Sequence, residues 1–179
     1  MKNISILYRP HPWGGGGNRG NEILNHNWKH VKIESYSKKY LKSLRNKGYH
    51  MTFPDYSDTH IVLSHVDFVI SPLSTILIEA ALHRKPIMCF LPLEELNSKH
   101  FQDVYELTHF VDLQNEKNVI MAHGKKEMLN KLKLLLETPK TKNFDLELLK
   151  MCNYYVCQHV KPYKDRIYNL TKKIIEENN

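Results

Sequence analysis

Two short segments hold the residues best suited to chemistry, "YRPHPW" at 8–13 and "SPLSTILIE" at 71–79. In the first, His11 stands between Pro10 and Pro12, which stiffen the backbone on either side of it. An imidazole held in this way can donate to a phosphate oxygen, and the neighbouring Arg9 offers a guanidinium to the same group. In the second, Ser74 and Thr75 bring hydroxyls to the start of a predicted helix, with Ser71 and Leu73 on the turn leading into it. The first turn of a helix exposes N–H groups and the positive end of its dipole, which suits a phosphate. Glu79 follows Thr75 by one turn on the same face. A carboxylate there can accept two hydrogen bonds from vicinal hydroxyls such as those of a ribose. The same letters would also serve a plainly capped core helix with Glu79 in solvent.

Gly14, Gly15, Gly16 and Gly17 follow the first segment, and "GGGNRG" at 15–20 matches G-x-G-x-x-G letter for letter. A dinucleotide fingerprint needs its glycines at the strand-to-helix turn, then a helix, then a strand ending in an acid about 20 residues on. Here Pro10, His11, Pro12 and Trp13 intervene after the strand, only "NEILNHNWK" is left for the helix, and Glu34 comes too soon. A P-loop fails too, because Asn21 and Glu22 follow Gly20 where Lys and Ser or Thr are required. The glycines are therefore read as a pliable rim, where bare backbone can approach a ligand.

The surrounding pattern supplies the elements that must position these residues. "ISILY", "HVKIES", "DFVIS" and "PIMCFLP" read as strands, and either "HFVDL" or "NVIMAH" as a further one. "KKYLKSLRNKG", "DTHIVLSHV", "LSTILIEAALHRK" and "GKKEMLNKLKLLLE" read as helices between them, and "FDLELLKMCNYYVCQHV" and "YKDRIYNLTKKIIEE" as two more in the tail. Strands alternating with helices predict an α/β fold, a single Rossmann-like three-layer domain on a mainly parallel sheet with C-terminal helices. The domain is expected to span residues 1–142, with "TPKTKN" at 138–143 as the linker and 143–179 as its helical extension. In a parallel sheet, ligands gather at the carboxyl ends of the strands. Both chemical segments begin at such an end.

The totals exclude several classes. The chain has 179 residues, 41% of them apolar and 25% charged, as expected of one folded domain. Its apolar runs are too short to cross a bilayer, and its start lacks the apolar core of a secretion signal, so a cytoplasmic location is expected. Cys89, Cys152 and Cys157 read as reduced thiols. The balance of 26 basic against 19 acidic residues favours anionic partners. Without a nucleic-acid module or an aromatic ladder among the lysines, nucleic acid is not expected. A solvated basic face, or one turned to the inner face of the membrane, fits better. The 11 histidines form no H-E-x-x-H and pair with no Cys-x-x-Cys, so no metal or other cofactor is predicted. No G-x-S-x-G elbow supports a hydrolase.

Taken in order, "YRPHPW" and "DFVISPLSTILIEAALHRKPIMCFLP" resemble the donor-binding half of GT-B glycosyltransferases. The nearest groups are those that make bacterial surface polysaccharides and the sialyltransferase, Kdo-transferase and glycerophosphotransferase enzymes. The resemblance covers residues 4–137 and is specific in the two short segments alone. It implies a nucleotide-linked sugar (CMP-, CDP- or UDP-activated) as substrate. His11 and Pro12 would match a His-Pro phosphate motif, Ser74 and Thr75 a Ser-Ser or Ser-Thr motif, and Glu79 the ribose ligand. The family has a second Rossmann-like domain that carries the acceptor and usually the catalytic base. The resemblance therefore implies an N-terminal domain or a separate acceptor-binding subunit as partner, an unidentified base, and a poor catalyst in the chain by itself. Exposed inter-domain surface could instead be covered in a homodimer. UDP-sugar 2-epimerases share the two-domain fold, but would be expected to show Ser-Gly-Gly before Glu-Ala, where this chain has "SPLSTILIEA". A non-catalytic nucleotide-binding or structural subunit is the remaining alternative.

Overall fold

The computed structural model describes residues 4–10, 23–47, 56–92, 103–104, 106–138, 141–156 and 162–177. The fold is α/β with parallel strands and C-terminal helices, in keeping with a Rossmann-like pattern. The strands form two sheets, and the chain divides into two compact units, residues 1–61 and 62–179.

In the first unit, β1 (Ile6–Tyr8) pairs in parallel with β2 (Val31–Ile33), with Ile6 opposite Val31 and Tyr8 opposite Ile33. Backbone hydrogen bonds extend the pairing at both ends, from Ile6 N–H to His30 O and from Glu34 N–H to Tyr8 O, each 2.9 Å. Helix α1 (Ser35–Lys47) follows β2 and buries Ser37, Tyr40 and Leu41. Helix α2 (Tyr56–His65) contains the division between the units.

The second unit is built on β3 (Val69–Ser71), β4 (Ile87–Leu91) and β5 (Val119–His123), all parallel and in that spatial order. Helix α3 (Ile76–Leu82) connects the first two strands, and α4 (Thr108–Gln114) precedes the third. Helices α5 (Gly124–Glu137), α6 (Lys142–Tyr155) and α7 (Tyr163–Glu177) complete the chain. Central β4 explains the layering, because side chains along a strand alternate between faces. Ile87, Cys89 and Leu91 join a cluster with Leu77 and Ile78 of α3, Phe110 and Leu113 of α4, and Leu148, Met151 and Cys152 of α6. Met88 points the other way, into a cluster with Ala122 of β5 and Met128, Leu132 and Leu135 of α5. The last three stand at i, i+4 and i+7, one apolar stripe of a helix. Helices thus cover both faces of this sheet, which is why β4 is apolar along its whole length.

One sequence alternative is resolved. "NVIMAH" is the strand, and "HFVDL" lies in α4, where Phe110 and Leu113 are buried one turn apart. Helix α6 belongs to the core of the second unit: Leu148 and Cys152 are fully buried, and the Cys152 thiol lies 3.7 Å from the Ile78 carbonyl. Its start is capped by Thr141, whose hydroxyl accepts the Phe144 N–H at 3.2 Å.

Candidate functional site

The β3-to-α3 turn carries four of the expected residues. Ser71 is the last residue of β3, half-buried and in register with Cys89 of β4. Leu73 is buried, which anchors the turn, while Ser74 is half-buried and Thr75 exposed. The helix begins one residue later than the first hydroxyl suggests. Thr75 occupies the N-cap position with helical dihedrals, and its side chain caps nothing. The Ser74 hydroxyl accepts from Ile76 N–H at a long 3.5 Å. Tight-turn bonds already use the next donors: Leu77 N–H goes to Ser74 O at 3.1 Å, and Ile78 N–H to Thr75 O at 3.0 Å. Those two N–H groups therefore point inward, against the expectation of a row of outward-facing donors. The capacity to bind an anion at this turn rests on the three hydroxyls and the weakly held Ile76 N–H. Glu79 stands half-buried in the first turn of α3, whose opposite side buries Leu77, Ile78, Ala80 and Ala81.

Because β3, β4 and β5 are parallel, the end of β5 lies on the same edge of the sheet as this turn. There the structure adds a group that the sequence reading did not single out. His123 ends β5, in register with Leu91, and Gly124 follows with a positive φ of 83°. Only glycine takes that dihedral readily, and it lets the chain pass straight from strand to helix. Glu127 reaches back from the first turn of α5: its Oε2 accepts the His123 backbone N–H at 2.5 Å and lies 3.2 Å from the imidazole Nδ1. Lys131 Nζ lies 2.5 Å from Glu127 Oε1 and donates to Met121 O at 2.6 Å. The Lys131 hydrogen bond, then the His123 N–H, hold the Glu127 carboxyl down at about 2. Two strand spacings separate this junction from the Ser71 turn, about 10 Å along the edge. The signal present in the sequence was the spacing His-Gly-x-x-Glu across a strand end, a variant of the capping box.

Arg9 belongs to the first unit. Its Nη2 donates to the buried Thr59 Oγ1 at 2.9 Å, and its charge acts on Glu34. Glu34 directly follows β2 and caps α1. Its two carboxylate oxygens accept the N–H groups of Tyr36 and Ser37, each at 2.7 Å, and the Ser37 hydroxyl at 2.9 Å. Its carboxylate is thus committed to its own helix. His11, Pro12, Gly14, Gly15, Gly16 and Gly17 lie outside the described residues. The expected residues therefore fall in two units, Arg9 in the first and Ser71, Ser74, Thr75 and Glu79 in the second.

A shallow depression lined by Asp112, Asn115, Glu116, Lys117 and Tyr154 lies at the opposite, amino edge of the three-stranded sheet. Tyr154 donates to Asp112 Oδ2 there at 2.6 Å. This is the edge where open parallel sheets do not ordinarily bind ligands. Among the described residues no group of three His, Cys, Asp or Glu side chains is set to hold a metal ion, and no helix is long and apolar enough to cross a membrane. Comparison of the chain with protein-family models, with curated proteins and with solved structures finds no match.

Proposed function

We propose that this chain binds a nucleotide-activated sugar, as the donor-binding part of a GT-B-like glycosyltransferase acting in surface-polysaccharide synthesis. The observation that carries the reading is the turn Ser71–Thr75: three hydroxyls at the carboxyl edge of a parallel sheet, with Glu79 one helical turn beyond. In this reading the hydroxyls of Ser74 and Thr75 bind the donor phosphates and Glu79 takes the vicinal hydroxyls of the ribose. The sequence expectation that His11 and Arg9 also bind the phosphates is tested through His11. The Ser74 and Thr75 hydroxyls stabilise the negative charge that grows on the leaving nucleotide as the sugar departs. His123 is a further polar group on the same edge. The base that activates the acceptor is assigned to a partner domain or subunit.

Titration calorimetry with CMP, CDP, UDP and their sugars tests this. One nucleotide series is expected to bind, with Ser74→Ala and His11→Ala each weakening it about threefold to tenfold, the range of a single hydrogen bond. Glu79→Gln is expected to erase any preference for a ribonucleotide over its 2′-deoxy counterpart. Absence of binding by all three series, or unchanged affinity in all three variants, sinks the reading. Conversion of a UDP-sugar to its 2-epimer by the chain would replace it with the epimerase alternative.

A further inference from the structure

Helix α7 contributes no buried residue. It nevertheless carries Tyr163, Ile167, Tyr168, Leu170, Ile174 and Ile175, all between 44% and 70% exposed. At roughly 100° per residue these six side chains fall within an arc of about 160°. One side of the arc is the row Tyr163, Ile167, Leu170, Ile174, spaced i, i+4, i+7, i+11, with Thr171 between it and the pair Tyr168 and Ile175. That row alone would fit the seam of one partner helix. Tyr168 and Ile175 widen it beyond such a seam, to the breadth of a face that meets a surface.

The charges indicate what kind of surface. Arg166 and Lys173 border the arc on one side. Lys164 lies within it at the N-terminal end, where its stem can carry the ammonium outward. Asp165 and Glu176 stand on the opposite face, Glu176 paired with Lys172. Glu177 borders the arc near Arg166 and is paired with Lys173 at 3.6 Å. A second copy of the helix packed in parallel along the seam would set Lys164, Arg166 and Lys173 beside their like, which opposes that pairing. A surface of fixed negative charge and apolar interior matches both the arc and its borders.

We propose that α7 is an interfacial helix that lies on an anionic lipid surface. Its isoleucines and leucine enter the headgroup–acyl boundary, its tyrosines sit at the polar level, and its basic residues meet lipid phosphates. The formal charge of +7 on the whole chain adds long-range attraction to the same surface. This rests on α7 alone and holds whether or not the sheet edge takes a nucleotide sugar.

The test is flotation of the full chain with vesicles of phosphatidylcholine, and of phosphatidylcholine mixed with phosphatidylglycerol. The chain is expected to float with the mixed vesicles only, and to be released by high salt. Ile167→Asp with Leu170→Asp should weaken binding about tenfold or more. Lys164→Gln, Arg166→Gln and Lys173→Gln, which keep the apolar arc, should each weaken it about fivefold. No residue of the helix is fully buried, so the Ile167→Asp, Leu170→Asp pair, Lys164→Gln and Lys173→Gln should keep the parent's thermal melt. Arg166 is half-buried with its guanidinium 5.4 Å over the Tyr163 ring, and its variant is read against its own melt. No flotation, equal flotation with both vesicle types, or unchanged flotation in both variant sets overturns the proposal. So does a dimer on gel filtration that dissociates in the Ile167→Asp, Leu170→Asp variant, which would assign the face to a second copy.

Discussion

Glu127 Oε2 accepts the backbone N–H of His123 at 2.5 Å and lies 3.2 Å from its imidazole Nδ1, so one carboxylate holds both the end of β5 and the ring that ends it. An ionised carboxylate only accepts, so Nδ1 is the ring nitrogen that carries the proton. In the neutral ring this leaves Nε2 as an acceptor at the carboxyl edge of the sheet.

The Glu127 carboxyl is expected to titrate near 2, below its ordinary value of 4.5. Because the folded value is depressed, its contribution to stability is complete above 4.5 and is lost as the pH falls toward 2. Carboxyl-carbon NMR across that window reads the midpoint directly. Lys131→Met removes the largest cause and should move the midpoint upward. A midpoint that stays put in this variant would show that Lys131 does not set it.

Glu34 should matter to the first unit as a helix cap. Burial pushes its carboxyl up, but the N–H groups of Ser37 and Tyr36, the Ser37 hydroxyl and the Arg9 charge together outweigh that and lower it. Glu34→Ala is expected to cost about 1 kcal/mol, within the usual range of a lost cap. The stabilisation should be present at neutral pH and fade as the pH falls below 4.5, the ordinary carboxyl value. Urea denaturation of parent and variant at neutral and acidic pH checks both statements. A gap between them that does not shrink in acid would count against the ionised cap.

Arg84 takes a left-handed conformation, φ 56°, just past the end of α3. The N–H of Arg84 bonds to Ala81 O at 2.8 Å and that of Lys85 to Ala80 O at 3.0 Å, the paired closure of a Schellman motif. Glycine is the residue this position favours, and a side chain there costs about 1 kcal/mol. Arg84→Gly is therefore expected to stabilise the chain by about that amount, and Arg84→Val to destabilise it, both read from chemical denaturation. A glycine variant less stable than the parent would mean that the Arg84 side chain makes a contribution larger than its strain.

Much of the architecture was legible because it is written locally. The apolar run "PIMCFLP" and the stripe Met128, Leu132, Leu135 announce a buried strand and a one-sided helix by their periods alone. The short run "HFVDL" was not decidable in this way. Its apolar letters fit either period, and it becomes a helix because Phe110 and Leu113 fill the core beside α6. The start of α3 was legible to within a residue. The inward turn of the Leu77 and Ile78 N–H groups was not, since it depends on which carbonyls the closing turn brings within reach.

By itself, then, the sequence determined the alternation of parallel strands and helices, the placing of Ser71, Ser74, Thr75 and Glu79 at one strand end, and the amphipathic order of α7. These depend on dihedral preference and on spacing along the chain, which neighbouring residues settle between themselves. Tertiary structure decided that Arg9 reaches Thr59, and that His123 shares an edge of the sheet with the Ser71 turn. Those outcomes depend on strand order and on competition among hydrogen-bond partners, which exist only once distant segments of the chain have packed together.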